Sequence, residues 1–242
     1  MKKLFSCLLL TLLCSCDKHG IVTAEAAAVA PHETFEAECE RRLNPTDIKV
    51  QAQPSEVHYN FVTSMAQLTS KGSRQRQLGQ VVLGLTESRL SYKLNWGANY
   101  LVEQGTGRAC MRPRLTLVFD VTPQLVSVAR EFPRGSCAFN EIAKHELRHV
   151  NANQAQLEVA ADMMQRELTS FFGQRVFYGS KNSLQAQWQD ALSTSWMPLA
   201  KAELAKVDIA HNAIDSPEEY ARNRTICNGE ITQAVIQAGL AR

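Results

Sequence analysis

Two histidines one helical turn apart are the strongest chemical signal in the sequence. His145, Glu146 and His149 form the pattern H-E-x-x-H. Residues four apart lie on the same face of an α-helix, so both imidazoles can bind one zinc ion. Glu146 would lie beside the open side of the metal and accept a proton from its water. The pattern predicts a zinc-dependent hydrolase, in which Glu146 assists attack of zinc-bound water on an amide bond.

A catalytic zinc ion needs a third protein ligand. The extended pattern with a third histidine is absent, because Ala152 and Ala155 stand where Gly and His are required. Carboxylates further along the same helix are available at Glu158, Asp162 and Glu167. Residues of a continuous helix rise by about 1.5 Å each, so these carboxylates reach the metal only if the helix breaks soon after the second histidine.

His211 is the favoured third ligand. Residues 140–172 and 183–207 are predicted to be helical, and a short Gly-containing segment joins them, so we expect an antiparallel helical pair. His145 and His211 lie equally far from a turn centred near residue 178. The antiparallel return therefore brings them to the same level.

Other polar residues near these positions can support the metal ligands or the reaction. Glu141 precedes His145 by one turn, and Asp208 and Asp215 flank His211. Each can orient an imidazole, and each is equally consistent with a solvated charge. Tyr220 is predicted to donate a hydrogen bond to the oxyanion of the transition state, the alternative being a tyrosine that only packs.

The elements that position these residues indicate the α+β class. Strand-like alternation occurs at 81–103 and 114–121, and 124–131 follows as a further apolar segment. We predict a small antiparallel sheet from these segments. A short amphipathic helix is expected upstream, at 33–43.

After residue 135 the apolar period becomes helical. Residues 140–172 contain no Pro or Gly and predict the long helix that carries the histidines. The helical return at 183–207 contains Pro198, where we expect a kink. Ser216 is expected to cap a last helix, with Glu219 completing its capping box. The expected architecture is a sheet, a long active-site helix and an antiparallel helical return.

The first residues predict export. A short basic start precedes an apolar run at 4–13, which is too short to span a bilayer and ends at the lipobox-like L-C-S-C. We expect acylation at Cys16 and a lipid-anchored protein on the periplasmic side of the envelope. If the lipobox is not used, cleavage near residues 24–26 releases a secreted protein.

The length and net charge of the chain limit its domain organisation and its classes of partner. A chain of 242 residues divides into a signal peptide at 1–16, a tether with a short helix at 17–52, and a catalytic domain at 53–242. The net charge of +2, without a run of like charges, argues against nucleic acid as a partner. The predicted partners are a peptide or protein substrate and a membrane.

Seven cysteines are present, of which three belong to the export signal. The other four predict two disulfides in an exported protein. The helical register favours Cys137–Cys227, which leaves Cys39 to pair with Cys110. A bond between Cys110 and Cys137, which are neighbours in sequence, is the alternative.

Residues 137–149 (C-A-F-N-E-I-A-K-H-E-L-R-H) and 215–220 (D-S-P-E-E-Y) carry a family resemblance. They resemble the zincin metallopeptidases, and more narrowly a bacterial envelope family described as predicted secreted zinc-dependent proteases. The resemblance implies a metallopeptidase, and an amidase acting on cell-wall peptides shares the same chemistry. The alternative is a non-catalytic envelope lipoprotein that holds a metal or a partner on the same scaffold. Arg148, a charge where zincins avoid one, favours that alternative.

Overall fold

The computed structural model describes residues 33–72 and 81–240 of the chain. The predicted export signal, with Cys16, and residues 17–32 of the predicted tether lie outside these residues. None of the helices in the described part combines the length and the apolar character that a membrane span requires.

Five strands and eight α-helices make up the described residues. The strands are β1 (Asp47–Gln53), β2 (His58–Asn60), β3 (Gly84–Val102), β4 (Arg108–Val128) and β5 (Phe177–Ser180). The helices are α1 (Phe35–Arg42), α2 (Met65–Lys71), α3 (Cys137–Phe172), α4 (Lys181–Ala191), α5 (Met197–Ala205), α6 (Val207–Ile214), α7 (Pro217–Thr225) and α8 (Glu230–Gln237). A π-helical turn (Leu192–Trp196) joins α4 to α5, and a 3-10 turn (Ile226–Gly229) joins α7 to α8.

The strands form one mixed sheet around β4. β3 and β5 pair with β4 in antiparallel orientation, whereas β1 and β2 run parallel to it. The predicted α+β class is confirmed, but the prediction of an antiparallel sheet is wrong. The parallel strands come from residues 47–60, upstream of the segments used for that prediction. In β1, Ile48, Val50 and Ala52 alternate and pack against the main core, which gives the strand one face to bury.

β3 and β4 form a long hairpin that supplies much of the core. β3 matches the strand predicted at 81–103, whereas β4 joins the predicted 114–121 to the first part of 124–131 and ends at Val128. Pro123 lies between the two predicted segments, and proline cannot donate a hydrogen bond to a sheet. β4 instead continues through Thr122 and Pro123, whose peptide bond is cis.

The long helix predicted at 140–172 is confirmed as α3, which runs without a break. Ser136 caps it by accepting a hydrogen bond from the backbone N–H of Phe139 at 3.1 Å. Its apolar face packs on the sheet, where Leu157, Met164 and Leu168 join Phe119 in the fully buried core. This packing presents the first half of α3 to the neighbouring helices.

The helical return predicted at 183–207 is present as α4, the π-helical turn and α5. The irregularity expected at Pro198 falls just before it, in the π-helical turn, and Pro198 lies in the first turn of α5. Helical structure then continues into α6, which packs against α3. His211 is therefore part of a helix that faces α3.

α7 begins as predicted but lacks the full capping box. Ser216 accepts a hydrogen bond from the backbone N–H of Glu219 at 3.3 Å. The Glu219 carboxylate pairs with Arg148 and Arg222 instead of returning to the backbone of Ser216. Charge-assisted pairing with two guanidinium groups is stronger than a neutral hydrogen bond.

Both predicted disulfides are confirmed. Cys39 and Cys110 are joined with a Cα–Cα distance of 6.3 Å, and Cys137 and Cys227 with 5.6 Å. The first bond ties α1 to β4, within a compact unit that starts at Phe35. This unit includes residues 35–52, which the sequence pattern assigns to the tether and short helix. The second bond ties the start of α3 to the turn between α7 and α8.

Candidate active site

His145, Glu146 and His149 share one face of α3, as their spacing predicts. They are buried, with exposed fractions of 9%, 5% and 8%. The Nε2 atoms of the two histidines lie 3.3 Å apart, so both rings face the same small volume. All three residues line a cleft of about 1320 Å³, larger than most small-molecule pockets.

Asp215, directly after α6, completes a compact group of three ligand atoms. Its Oδ1 lies 3.0 Å from Nε2 of His145 and 3.3 Å from Nε2 of His149. Ligands bound to zinc at 2.0–2.1 Å in tetrahedral geometry are separated by about 3.3 Å. The three atoms therefore have the separations of three corners of a zinc tetrahedron. In the described residues, the other group this compact contains the disulfide-bonded Cys137 and Cys227.

The charge of Asp215 suits a metal ligand. Burial raises its pKa, but the neighbouring imidazoles of His145 and His149 outweigh burial and hold the pKa well below the ordinary value. The Asp215 side chain is 40% exposed, so the carboxylate borders the open cleft. A negatively charged oxygen ligand with an accessible side is typical of catalytic zinc sites.

His211, the predicted third ligand, lies beside His149 on the side away from this group. Its Nδ1 is 2.9 Å from Nδ1 of His149, whereas Nε2 of His149 faces His145 and Asp215. Equal distances from the turn bring His145 and His211 to one level only if both helices are uniform. The return contains a π-helical turn and a junction at Lys206, and both change its register.

A chain of side-chain hydrogen bonds orients the ring of His149. His211 Nε2 donates to Oδ1 of Asn153 at 3.0 Å, and Asn153 Nδ2 donates to Oγ of Ser88 at 2.8 Å. Nδ1 of His211 is then free to accept the Nδ1–H of His149. Burial lowers the pKa of His211, which favours the neutral ring that this chain requires. His149 is left with an Nε2 lone pair, as a metal ligand needs.

Glu219 orients the ring of His145, as His211 orients that of His149. Its Oε1 lies 3.2 Å from Nδ1 of His145, and Arg148 and Arg222 pair with the same carboxylate. Hydrogen bonding to Arg222 is the main reason that the pKa of Glu219 falls to about 2, so the group stays charged. Arg148 thus holds an orienting carboxylate. Nδ1 of His145 also lies 2.8 Å from Nη2 of Arg148, which can only donate, so this nitrogen has one acceptor and one donor beside it. In the tautomer that donates to Glu219, the Nε2 lone pair of His145 faces Asp215.

The donor set fits a cation. When Nδ1 is the protonated nitrogen of both rings, the two Nε2 lone pairs and one carboxylate oxygen converge, an arrangement that a cation stabilises. The surroundings of His145 also favour positive charge. Burial lowers the pKa of His145, but the surrounding carboxylates of Asp215, Glu146 and Glu219 produce a net increase.

Glu146 is held beside this group by β3. Its Oε2 accepts a hydrogen bond from Oγ1 of Thr86 at 2.8 Å, and the same hydroxyl lies 3.0 Å from the backbone oxygen of Glu146. Burial raises the pKa of Glu146. A raised pKa suits a carboxyl group that takes up a proton and later returns it.

Gly84 allows β3 to approach Glu146 closely. A Cβ atom at Gly84 would lie 2.6 Å from Oε1 of Glu146 and 2.7 Å from Cγ2 of Ile142. Any larger residue must therefore displace the carboxylate or the strand. Gly97, on the same strand, has room for a Cβ atom, which would make an ordinary van der Waals contact with Arg114 at 3.6 Å.

For the amide hydrolysis that the H-E-x-x-H pattern predicts, we expect Gly84→Ala to lower kcat/KM by about 100-fold, because a 1 Å misplacement of a catalytic group has an effect of that order. Overpacking should also lower the free energy of unfolding by about 1–3 kcal/mol. Gly97→Ala is the matched control and should change neither quantity. Kinetics and urea unfolding of both variants measure this, and equal behaviour of the two would contradict the close approach.

Tyr220 of α7 lines the same cleft. Burial, followed by the charges of Asp215 and Glu146, raises its pKa to about 12. The phenol therefore stays protonated and can donate a hydrogen bond toward the cleft. The phenol also lies within hydrogen-bonding range of the Asp215 carboxylate. Its role as an oxyanion donor stays a prediction.

The remaining candidates do not meet the ligand atoms. Because α3 is unbroken, Glu158 stays about 13 Å from His149 along the helix, and Asp162 and Glu167 lie further away. Glu141 pairs with Arg222 at 3.0 Å. Asp208 lines the cleft one turn before His211.

Several residues of the site carry no sequence motif, or have a role other than the predicted one. The sequence predicts Asp215 as an orienting group, although its spacing of four from His211 places both on one face. Thr86, Gly84 and Asn153 carry no motif, because their roles arise from contacts between β3 and α3. Glu219 was assigned to a helix cap.

Comparison with family models, with curated proteins and with solved structures gives no match to this chain.

Proposed function

We propose that this protein is a zinc-dependent hydrolase of the bacterial envelope that cleaves amide bonds in peptides or proteins. The observation that carries the proposal is the convergence of His145, His149 and Asp215, with ligand atoms 3.0–3.3 Å apart, beside the buried carboxylate of Glu146. Two imidazoles and one carboxylate are a donor set typical of catalytic zinc, which keeps a further position for water or substrate.

The residues around the metal position divide the work of proton transfer. Zinc, when bound, polarises the amide carbonyl and makes water more acidic. Glu146 accepts the proton of the attacking water and passes it to the leaving amine. Thr86 holds the carboxylate in place, and Tyr220 donates a hydrogen bond to the oxygen on which negative charge develops.

An open strand edge supports a peptide as the substrate. β3 pairs with β4 along one edge, and no strand of the described residues pairs with its other edge. Gly84, Thr86 and Ser88 of β3 line the cleft. Unpaired backbone groups at such an edge can bind an extended peptide as an additional strand.

The proposed location rests on the N-terminal sequence and on the disulfides. Acylation at Cys16 would anchor the protein at the periplasmic side of the envelope. The bonds Cys39–Cys110 and Cys137–Cys227 are consistent with an oxidising compartment. Arg148, which had favoured a non-catalytic binding protein, pairs with Glu219.

Metal removal tests the proposal. We expect the purified chain to cleave an unfolded protein substrate, to lose this activity after dialysis against a chelator, and to regain it when one equivalent of zinc is added. Liquid chromatography with mass spectrometry of the products identifies the cleaved amide bonds. Activity that survives complete removal of metal would rule out the proposed mechanism.

A further inference from the structure

The cleft extends beyond the catalytic centre into an apolar half. Its walls come from three elements: Val82 and Leu83 just before β3, Ile142 of α3, and Ile231 and Val235 of α8. We name this region the α8 pocket. Ile142 and Ile231 are buried, whereas Val82, Leu83 and Val235 remain partly exposed and can contact a bound group.

The α8 pocket begins one helical turn from the catalytic carboxylate. Ile142 precedes Glu146 by four residues, a rise of about 6 Å along α3. The backbone at Gly84 touches both side chains, since a Cβ there would lie 2.7 Å from Ile142 and 2.6 Å from Glu146. A side chain on the residue adjoining the scissile amide can span this distance, so the pocket is placed to receive it.

Charge around the cleft is distributed unevenly. The acidic residues that line it are Glu146 and Asp215 at the centre and Asp208 on α6, away from α8. α7, next to the pocket, contributes Arg224 to the lining. A cationic substrate side chain would therefore lose its hydration in the pocket without gaining a carboxylate partner.

We propose that the α8 pocket is a specificity pocket for a large apolar side chain, such as that of Leu or Phe, on the residue adjoining the scissile amide. This inference rests on the proposed hydrolase function. Filling an apolar pocket changes kcat/KM by roughly 10- to 100-fold. The same factor should separate peptides with Leu or Phe from peptides with Gly or Lys at that residue.

A peptide library randomised on both sides of the scissile amide tests the pocket in the zinc-loaded protein. We expect Val235→Arg to lower kcat/KM on the Leu peptide at least tenfold relative to the Gly peptide. Val235→Phe, which keeps the apolar packing, should narrow the pocket and lower the preference for Phe. Ile209→Arg is the control, because Ile209 is 73% exposed on α6 and does not line the cleft. Cleavage without apolar preference overturns the inference.

A binding experiment separates this inference from the proposed function. N-acetylleucinamide and N-acetylglycinamide are titrated into the full chain, and backbone amide resonances are followed by NMR. One outcome is that no peptide is cleaved, but N-acetylleucinamide shifts resonances of 81–85 and α8 and N-acetylglycinamide does not. This outcome would support the apolar pocket and contradict the proposed hydrolase function. If neither compound shifts these resonances, the pocket is rejected as well.

Discussion

Glu146→Gln is expected to lower kcat for amide hydrolysis by about 10³-fold while the chain keeps its full zinc content. Glutamine has the size of glutamate and can still accept the hydrogen bond from Thr86. It cannot accept a proton from water at neutral pH, and general base catalysis contributes about 10²–10⁴-fold. Turnover on a defined peptide and elemental analysis of the same preparation measure both quantities.

Glu158→Gln is the matched control for this variant. Glu158 lies on α3 as well, three turns further along, and is exposed. The same loss of one negative charge there should leave kcat and zinc content unchanged. Full activity in Glu146→Gln would remove the carboxylate from the mechanism, and equal losses in both variants would point to a general effect of charge.

Asp215→Ala is expected to lower zinc affinity by more than about 100-fold, because it removes one of the three proposed ligand atoms, a larger loss than that of an orienting group. His211→Ala should lower it by about 10–100-fold, the effect typical of a group that orients a ligand from outside. The difference follows from the geometry. Asp215 Oδ1 lies 3.0 Å and 3.3 Å from the two Nε2 atoms, whereas His211 hydrogen-bonds to Nδ1 of His149, the ring nitrogen that faces away from them.

Competition with a chelator of known affinity measures both variants. Glu218→Ala is the control, since Glu218 is an exposed carboxylate three residues from Asp215. It should leave the affinity unchanged. A larger loss in His211→Ala than in Asp215→Ala would make His211 the ligand and Asp215 the supporting group.

Local patterns in the sequence predicted the elements that carry the site. The absence of Pro and Gly together with a helical apolar period predicted α3, and the spacing of His145 and His149 placed both on its buried face. Such signals depend on neighbouring residues and need no tertiary information. The disulfide Cys137–Cys227 was also predictable, because it depends only on the approximate direction in which the helices after α3 run back along it.

Features that depend on exact register or on distant contacts were not predictable. His211 was predicted because it and His145 lie equally far from the loop near residue 178. Asp215 follows His211 by one helical turn, so a small change of helical register places Asp215 instead of His211 at the metal position. The parallel pairing of β1 with β4 joins strands far apart in sequence. The close approach of Gly84 to Glu146 exists only when β3 packs against α3.

Elemental analysis of the purified chain tests the central claim most directly. We expect one zinc per chain in the wild-type protein after incubation with zinc and removal of unbound metal, and none in His145→Ala/His149→Ala. X-ray absorption of the wild-type sample should show two nitrogen ligands from imidazole, with oxygen completing the shell. A wild-type chain that retains no zinc under these conditions would contradict the account.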